Sequence, residues 1–344
     1  MKAARFYGVG RPLVVEDVPP PRPGPGDVLL KVKACGLCGS DIHIVYEGVT
    51  PTAFQPIILG HEFSGEIAET GKGVAGWKAG DRVAASCMVA CGRCPNCVAG
   101  KTQICVQRRV LGVHLDGGLA EYARVPAVNL AQLDDRVPFT EGAILTDAVA
   151  TPYRALTRRG RLLPGETIVV IGCGGLGLHA VQLARILGAG RIIGVDLSRP
   201  ALERARKMGA DRLVQGGPGE NLAAIKDATD GVGVDLALDF VGAPETIGLA
   251  VECLRAGGRA VVVGLGAEKI SLMPSMEFVR KEFELLGSYG FTVPEIEELV
   301  AFMVAGKLDL SGSVSRTVAL EDVNEGLDAL YRKTDDPIRI VVTM

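Results

Sequence analysis

Four cysteines, Cys91, Cys94, Cys97 and Cys105, fall within fifteen residues on a stretch broken by Gly92, Pro95 and Gly100. Thiolates this close can share one metal ion, and four sulfur donors leave it no open position. That describes a structural zinc site, which staples a loop too polar to bury itself. An iron–sulfur cluster uses the same donor set and is the rival. The other five of the nine cysteines are Cys35, Cys38, Cys87, Cys173 and Cys253. An odd total with this clustering favours metal over disulfides.

A second constellation is spread out. Gly36-Leu37-Cys38-Gly39-Ser40-Asp41-Ile42-His43 follows one strand-like run, and Gly60-His61-Glu62 follows another. Cys38 and His61 could share a metal with a third donor from elsewhere. On spacing alone they read equally as a buried thiol and a satisfied core histidine. The chain has four histidines (His43, His61, His114 and His179), and two of them stand in such contexts. That tips the reading toward chemistry.

The third motif is Gly172-x-Gly174-x-x-Gly177, directly after the apolar run IVVI and at the start of a helical pattern. Asp196 ends the next strand-like run, nineteen residues after Gly177. Strand, glycines, helix, strand and acid in this register bind a dinucleotide. The glycines let the backbone approach the pyrophosphate at the helix N-terminus. A carboxylate at Asp196 suits the ribose diol of NAD and repels the 2′-phosphate of NADP. Arg199 lies close enough to soften that preference.

The elements that must hold these groups divide the chain near residue 150. Residues 1–140 carry short β-forming runs between Gly and Pro turns: KAARFYG, LVVEDV, DVLLKVKA, FSGEIAET, DRVAAS and LAEYARV. They predict a barrel-like antiparallel domain, with Pro19, Pro20, Pro21, Pro23 and Pro25 in a stiff connector. FTEGAILTDAVATPYRALTRRG is helical in composition, with Pro152 as an expected kink or break. Beyond it strands alternate with helices. The strands are 167–171, 191–195, 212–214, 234–239, 259–263 and 283–287; the helices are 175–187, 199–208, 219–227, 244–254 and 274–280. Six strands with crossover helices make a doubly wound parallel sheet, so the fold class is α/β. The tail from 289 reads as two helices and a last strand, IRIVVT, which must pack back on the first domain.

Composition excludes several classes. The 344 residues include 37 Lys+Arg and 40 Asp+Glu, a net charge of −3, which speaks against a nucleic-acid surface. Aromatics are 5%, too few for base-stacking platforms. The most apolar stretch, 168–187, contains glycines, His179, Gln182 and Arg185, and reads as strand, turn and helix rather than a membrane span. Charges interrupt the N-terminal run, so no secretory signal is expected there and a cytoplasmic location is.

In their order these motifs resemble the zinc-dependent medium-chain alcohol dehydrogenases across essentially the whole chain. The resemblance rests on G-x-C-G-x-D-x-H, G-H-E, the four-cysteine loop, G-x-G-x-x-G and its acid. It implies a β-rich GroES-like catalytic domain over 1–150, completed by 289–344. It implies a six-stranded Rossmann NAD-binding domain over 151–288, with the active site in the cleft between them. Cys38 and His61 match the family's first catalytic zinc ligands. The third is Cys in many members and Asp or Glu in others, and Asp147 takes that place. Glu62 matches a neighbouring carboxylate that can act as an alternate ligand. Asp41 matches the acid that orients the ligand histidine, although it also reads as a turn cap. Ser40 matches the hydroxyl that bonds the substrate oxygen, and His43 the base that passes the proton to solvent. Thr151 and Leu176 match residues at the nicotinamide, and Ser288 and Tyr289 fall where its carboxamide is held.

The implied activity is NAD-linked interconversion of an alcohol and its ketone or aldehyde, with two zinc ions per chain, one catalytic and one structural. Asp147 leans toward simple secondary alcohols. Polyol, sugar and threonine dehydrogenases of the same zinc type are the alternative. A zinc-free C=C reductase or a non-catalytic NAD-binding protein would not need this ligand set. The substrate loops 45–55, 111–116 and 288–291 mix bulky and small residues. The family implies a homo-oligomer, dimer or tetramer with tetramer preferred, and 259–290 as the interface.

Overall fold

Alternation of apolar and polar residues builds the first sheet. In the strand Asp27–Leu37, Val28, Leu30, Val32 and Ala34 are buried on one face while Lys31 faces out. The computed structural model describes residues 1–344, the side chain of Pro218 excepted. The chain forms two units, Met1–Ala150 with Gly290–Met344, and Thr151–Tyr289.

The first unit is organised by a seven-stranded sheet. Its order is Leu130–Gln132, Arg82–Ala85, Glu62–Thr70, Asp27–Leu37, Arg339–Thr343 and Val314–Ala319, and Tyr122–Pro126 also pairs with Asp27–Leu37. Every pairing is antiparallel except that of the last two strands. A three-stranded sheet, Val14–Asp17, Lys2–Phe6 and Ile57–Ile58, completes the β-structure that carries the N-terminus. The C-terminal strand therefore lies in the middle of the first unit's sheet, beside Asp27–Leu37.

The second unit is a six-stranded parallel sheet. Its order is Arg212–Gln215, Arg191–Asp196, Thr167–Ile171, Val234–Asp239, Leu254–Val262 and Glu284–Gly287. Strand order reverses between Thr167–Ile171 and Val234–Asp239, the switch point where such sheets bind ligands. Strands buried on both faces need continuous apolar runs, and Val169, Ile171, Ile193, Val195, Ala237 and Ala260 supply the core.

Three expectations are corrected. Pro152 does not end the helix: helical structure runs on from Phe139 to Arg159, with Pro152 inside Ala150–Arg154. Wide i→i+5 turns at Leu145–Val149 and Ala155–Arg159 flank it. Proline lacks an N–H, and the wider turn before it leaves room for its ring. The tail holds a further strand, Val314–Ala319, polar and mostly exposed, which is why its pattern was illegible. The helix Pro244–Glu252 stops before Leu254, because that residue already opens a strand.

Candidate active site

Sheet register assembles the first cluster. Gly36 pairs with Glu62 across one side of the central strand, and Leu37 pairs with Ile340 across the other. Cys38, one residue beyond the strand, thus meets His61 and Glu62 from one neighbour and Arg339 from the other. The turn before His61 needs glycine: Gly60 has φ +89°, and a Cβ there would run into Cys35 and Leu119. Asp147 arrives from the wide turn Leu145–Val149.

Cys38, His61, Glu62 and Asp147 offer donor atoms all within 4.8 Å of one another. Asp147 Oδ2 lies 3.6 Å from Cys38 Sγ and 3.7 Å from His61 Nε2. Ser40 Oγ stands beside both, 3.3 Å from Cys38 Sγ and 3.4 Å from His61 Nε2. Asp41 Oδ2 accepts the Cys38 backbone N–H at 2.9 Å and caps the turn. Its Oδ1 faces His61 Nδ1 at 3.8 Å, beyond hydrogen-bond range. His43 is not part of this cluster: its Nδ1 pairs with Glu47 at 2.6 Å.

The cluster is short of positive charge. Burial raises the Cys38 thiol and the Asp41 carboxyl, and pushes Glu62 up to about 7 against the pull of Arg339. Burial alone would lower His61, but Asp41, then Asp147 and Cys38, outweigh it and hold the ring well above its ordinary value. Both Glu62 carboxylate oxygens and His61 Nδ1 are buried without a hydrogen bond among the described residues. A dication among these donors would favour thiolate, carboxylate and neutral imidazole together. Mixed S, N and O donors at edges of 3.6–3.7 Å suit zinc, whose bonds of about 2.0–2.3 Å span such a gap. The residues present fit the metal.

Arg339 is the residue that motif reading missed. Its Nη2 lies 3.4 Å from Glu62 Oε1 and 4.0 Å from Cys38 Sγ, with 4% of the side chain exposed. The available signal was a lone arginine inside the apolar run IRIVV, whose only buried role is to meet a charge.

In the second cluster, Cys94 Sγ lies 3.5 Å from Cys97 Sγ and 3.9 Å from Cys105 Sγ, and Cys91 and Cys97 are 4.0 Å apart. A zinc–sulfur bond of about 2.3 Å gives a tetrahedron with edges of about 3.8 Å. Backbone N–H groups of Val106 and Cys97 draw Cys94 down to about 6, and those of Cys91 and Gln107 point at Cys105 Sγ, both at 3.3 Å. The backbone thus favours thiolate at Cys91 and Cys94, while burial and the neighbouring thiols push Cys97 up to about 12.

The glycine-rich turn closes between Thr167–Ile171 and the helix Gly175–Ile186. A Cβ on Gly177 would overlap the Gly172 carbonyl, so only glycine lets helix and strand pack this closely. Gly174 caps the helix and has open space around it. Asp196 accepts N–H bonds from Cys173 at 2.7 Å and Ser198 at 2.8 Å, which ties it under the turn. Arg199 is committed to Glu203 at 3.0 Å. Thr151, Leu176, Ser288 and Tyr289 all lie in the second unit. The Ser288 N–H donates to Val262 at 2.9 Å, and its Oγ is buried without a partner among the described residues.

A thiolate–imidazole–carboxylate donor set on one unit and a dinucleotide turn on the other define a metal-assisted, nucleotide-linked oxidoreductase. Known proteins agree. Residues 24–135 match the alcohol dehydrogenase GroES-like domain, and 175–305 match the zinc-binding dehydrogenase domain. The chain is 34% identical over 341 residues to the NAD-dependent alcohol dehydrogenase of Sulfurisphaera tokodaii, covering 96% of both. It is 32% identical over 347 residues to the sorbitol dehydrogenase of Bacillus subtilis, covering 99% of this chain and 97% of the other. The solved alcohol dehydrogenase TADH from Thermus sp. ATN1 superposes with a TM-score of 0.91 at 32% identity, over 100% of this chain and 99% of that one. The chain belongs to the zinc-dependent medium-chain alcohol dehydrogenase family.

Proposed function

We propose that the protein is a zinc-dependent, NAD-linked dehydrogenase that interconverts a secondary alcohol and its ketone, with a polyol as the second substrate class. The observation that carries this reading is the convergence of Cys38, His61, Glu62 and Asp147 within 4.8 Å. Cys38, His61 and Asp147 would hold the catalytic zinc, with Glu62 as alternate ligand, and Cys91, Cys94, Cys97 and Cys105 the structural one. When bound, zinc supplies Lewis acidity toward the substrate oxygen and NAD the hydride acceptor.

The chain's own residues do the rest. The Ser40 hydroxyl sits against the donor cluster, where it can accept a hydrogen bond from the substrate's hydroxyl and relay the proton by passing on its own. His43, half exposed, carries that proton to water. Asp41 fixes the Cys38 turn and faces His61 from behind. Gly172, Gly174 and Gly177 open the backbone to a pyrophosphate. Asp196 would take the ribose diol, and Arg199, exposed and paired with Glu203, would soften the preference against a 2′-phosphate. Thr151, Leu176, Ser288 and Tyr289 would line the nicotinamide.

Among the described residues no helix is long and apolar enough to cross a membrane. We place the homo-oligomer interface, in a dimer or tetramer, on 259–290. There the edge strand Glu284–Gly287 pairs on one side only, and Leu265, Ile270, Met276 and Val279 are exposed.

The test is NADH formation with a panel of secondary alcohols and polyols, with NADP in parallel, before and after chelation. The reading requires NAD-linked activity that chelation abolishes. NAD-linked activity indifferent to chelation would refute it.

A further inference from the structure

His43 sits on a turn that is fixed from both sides. His43–Glu47 is a single wide i→i+5 turn. Tyr46, on that turn, stacks on Tyr331 with centroids 4.5 Å apart and planes 5° from parallel. The Val45 carbonyl accepts the Gly10 N–H at 2.7 Å, and Gly48, at φ +67°, closes the turn. On this frame Glu47 Oε2 meets His43 Nδ1 at 2.6 Å, with side-chain exposures of 40% and 47%. The charges of the packed helix Val323–Arg332 nearest Tyr46, Asp328 and Arg332, are committed to each other at 2.8 Å.

An ionised carboxylate has no hydrogen to give, so the hydrogen of this bond is on Nδ1. That holds whether the ring is neutral or protonated. Nε2 is left as the nitrogen whose protonation changes. As a stabilising contact an exposed pair of this kind is worth little. As a tautomer lock it has a clear use, because a ring that must take up a proton needs one nitrogen kept bare.

We propose that Glu47 is a positioning residue for proton release: it holds His43 in the Nδ1–H tautomer so that Nε2 receives the proton leaving the alcohol. The inference rests on the reading of His43 as the proton carrier. In each oxidation the alcohol loses one hydride to NAD and one proton. Nε2 takes that proton, the imidazolium stays paired with the Glu47 carboxylate, and the half-exposed ring returns the proton to water. No bond in the ring or the carboxylate changes otherwise.

The experiment uses the zinc-loaded enzyme and three variants: Glu47→Ala, His43→Gln and the double variant. Ring-nitrogen NMR above neutral pH reports the tautomer, and the His43 signals are those lost in His43→Gln, one of four histidines. We expect bare Nε2 and protonated Nδ1 in the wild type, and a shift toward Nε2–H in Glu47→Ala. For alcohol oxidation kcat should fall about tenfold in His43→Gln and about fivefold in Glu47→Ala, a fraction of what positioned proton transfer is worth. The double variant should be no slower than His43→Gln, because both changes act through one ring. An unshifted tautomer in Glu47→Ala, or additive losses in the double variant, would overturn the proposal alone. A His43→Gln enzyme with wild-type kcat would overturn the carrier role itself, and the proposal with it.

Discussion

At the scale of single residues the site is a problem of buried charge. Glu62 is fully buried, and Arg339 is the cation that faces it. Breaking such a pair from one side leaves an uncompensated charge, at a cost of about 3–5 kcal/mol. Arg339→Ala should therefore lower the unfolding free energy by about that much in urea titration, and adding Glu62→Gln should recover a large part. A loss below about 1 kcal/mol would show that the pair is not a stability element. Cys38 and His61 stood out in the sequence because each stands beside glycine, whereas Asp41 and Ser40 were drawn in only by the family resemblance. The sequence hid Arg339 because that role depends on a strand register 301 positions from Cys38. It hid Glu47 because i,i+4 neighbours meet only where the chain turns helically, and 45–55 reads as a loop.

At the scale of elements, most strands and helices announce themselves by period and by their breakers. The central parallel strands are largely apolar and alternate with helices, so their existence was legible. Val314–Ala319 was not, since an edge strand with a solvated face alternates weakly. Pro152 misled for a physical reason: the break it usually imposes is relieved by a widened turn, which no local pattern reveals. The glycine-rich turn gives the sharpest test at this scale. Gly177→Ala would push a methyl group into the Gly172 carbonyl, forcing helix Gly175–Ile186 away from its strand. NAD affinity measured by calorimetry should fall at least about tenfold, about 1.4 kcal/mol, while zinc content stays the same. Unchanged affinity would mean that the pyrophosphate does not use this turn.

At the scale of the whole molecule, two units carry complementary halves of one chemistry. The metal donors all belong to Met1–Ala150 with Gly290–Met344, and the dinucleotide turn belongs to Thr151–Tyr289. In the sequence, β-rich and alternating segments differ in period on either side of residue 150. Return of the C-terminal tail to the first unit was readable only as a necessity, for a tail without a core must pack somewhere. Assembly is testable through the exposed apolar residues beside the edge strand. Met276→Lys with Val279→Lys should lower the mass in light scattering while leaving the monomer folded; an unchanged mass would move the interface elsewhere. On the proposed reading, Cys38, His61 and Asp147 hold a catalytic zinc separate from the four-cysteine one. Its most direct test is zinc content per chain, with NAD-linked activity, in the wild type and in Asp147→Ala. Two zinc ions should fall to about one, with activity lost, matching the two donor clusters. A single zinc in active wild type, unchanged by the substitution, would contradict it.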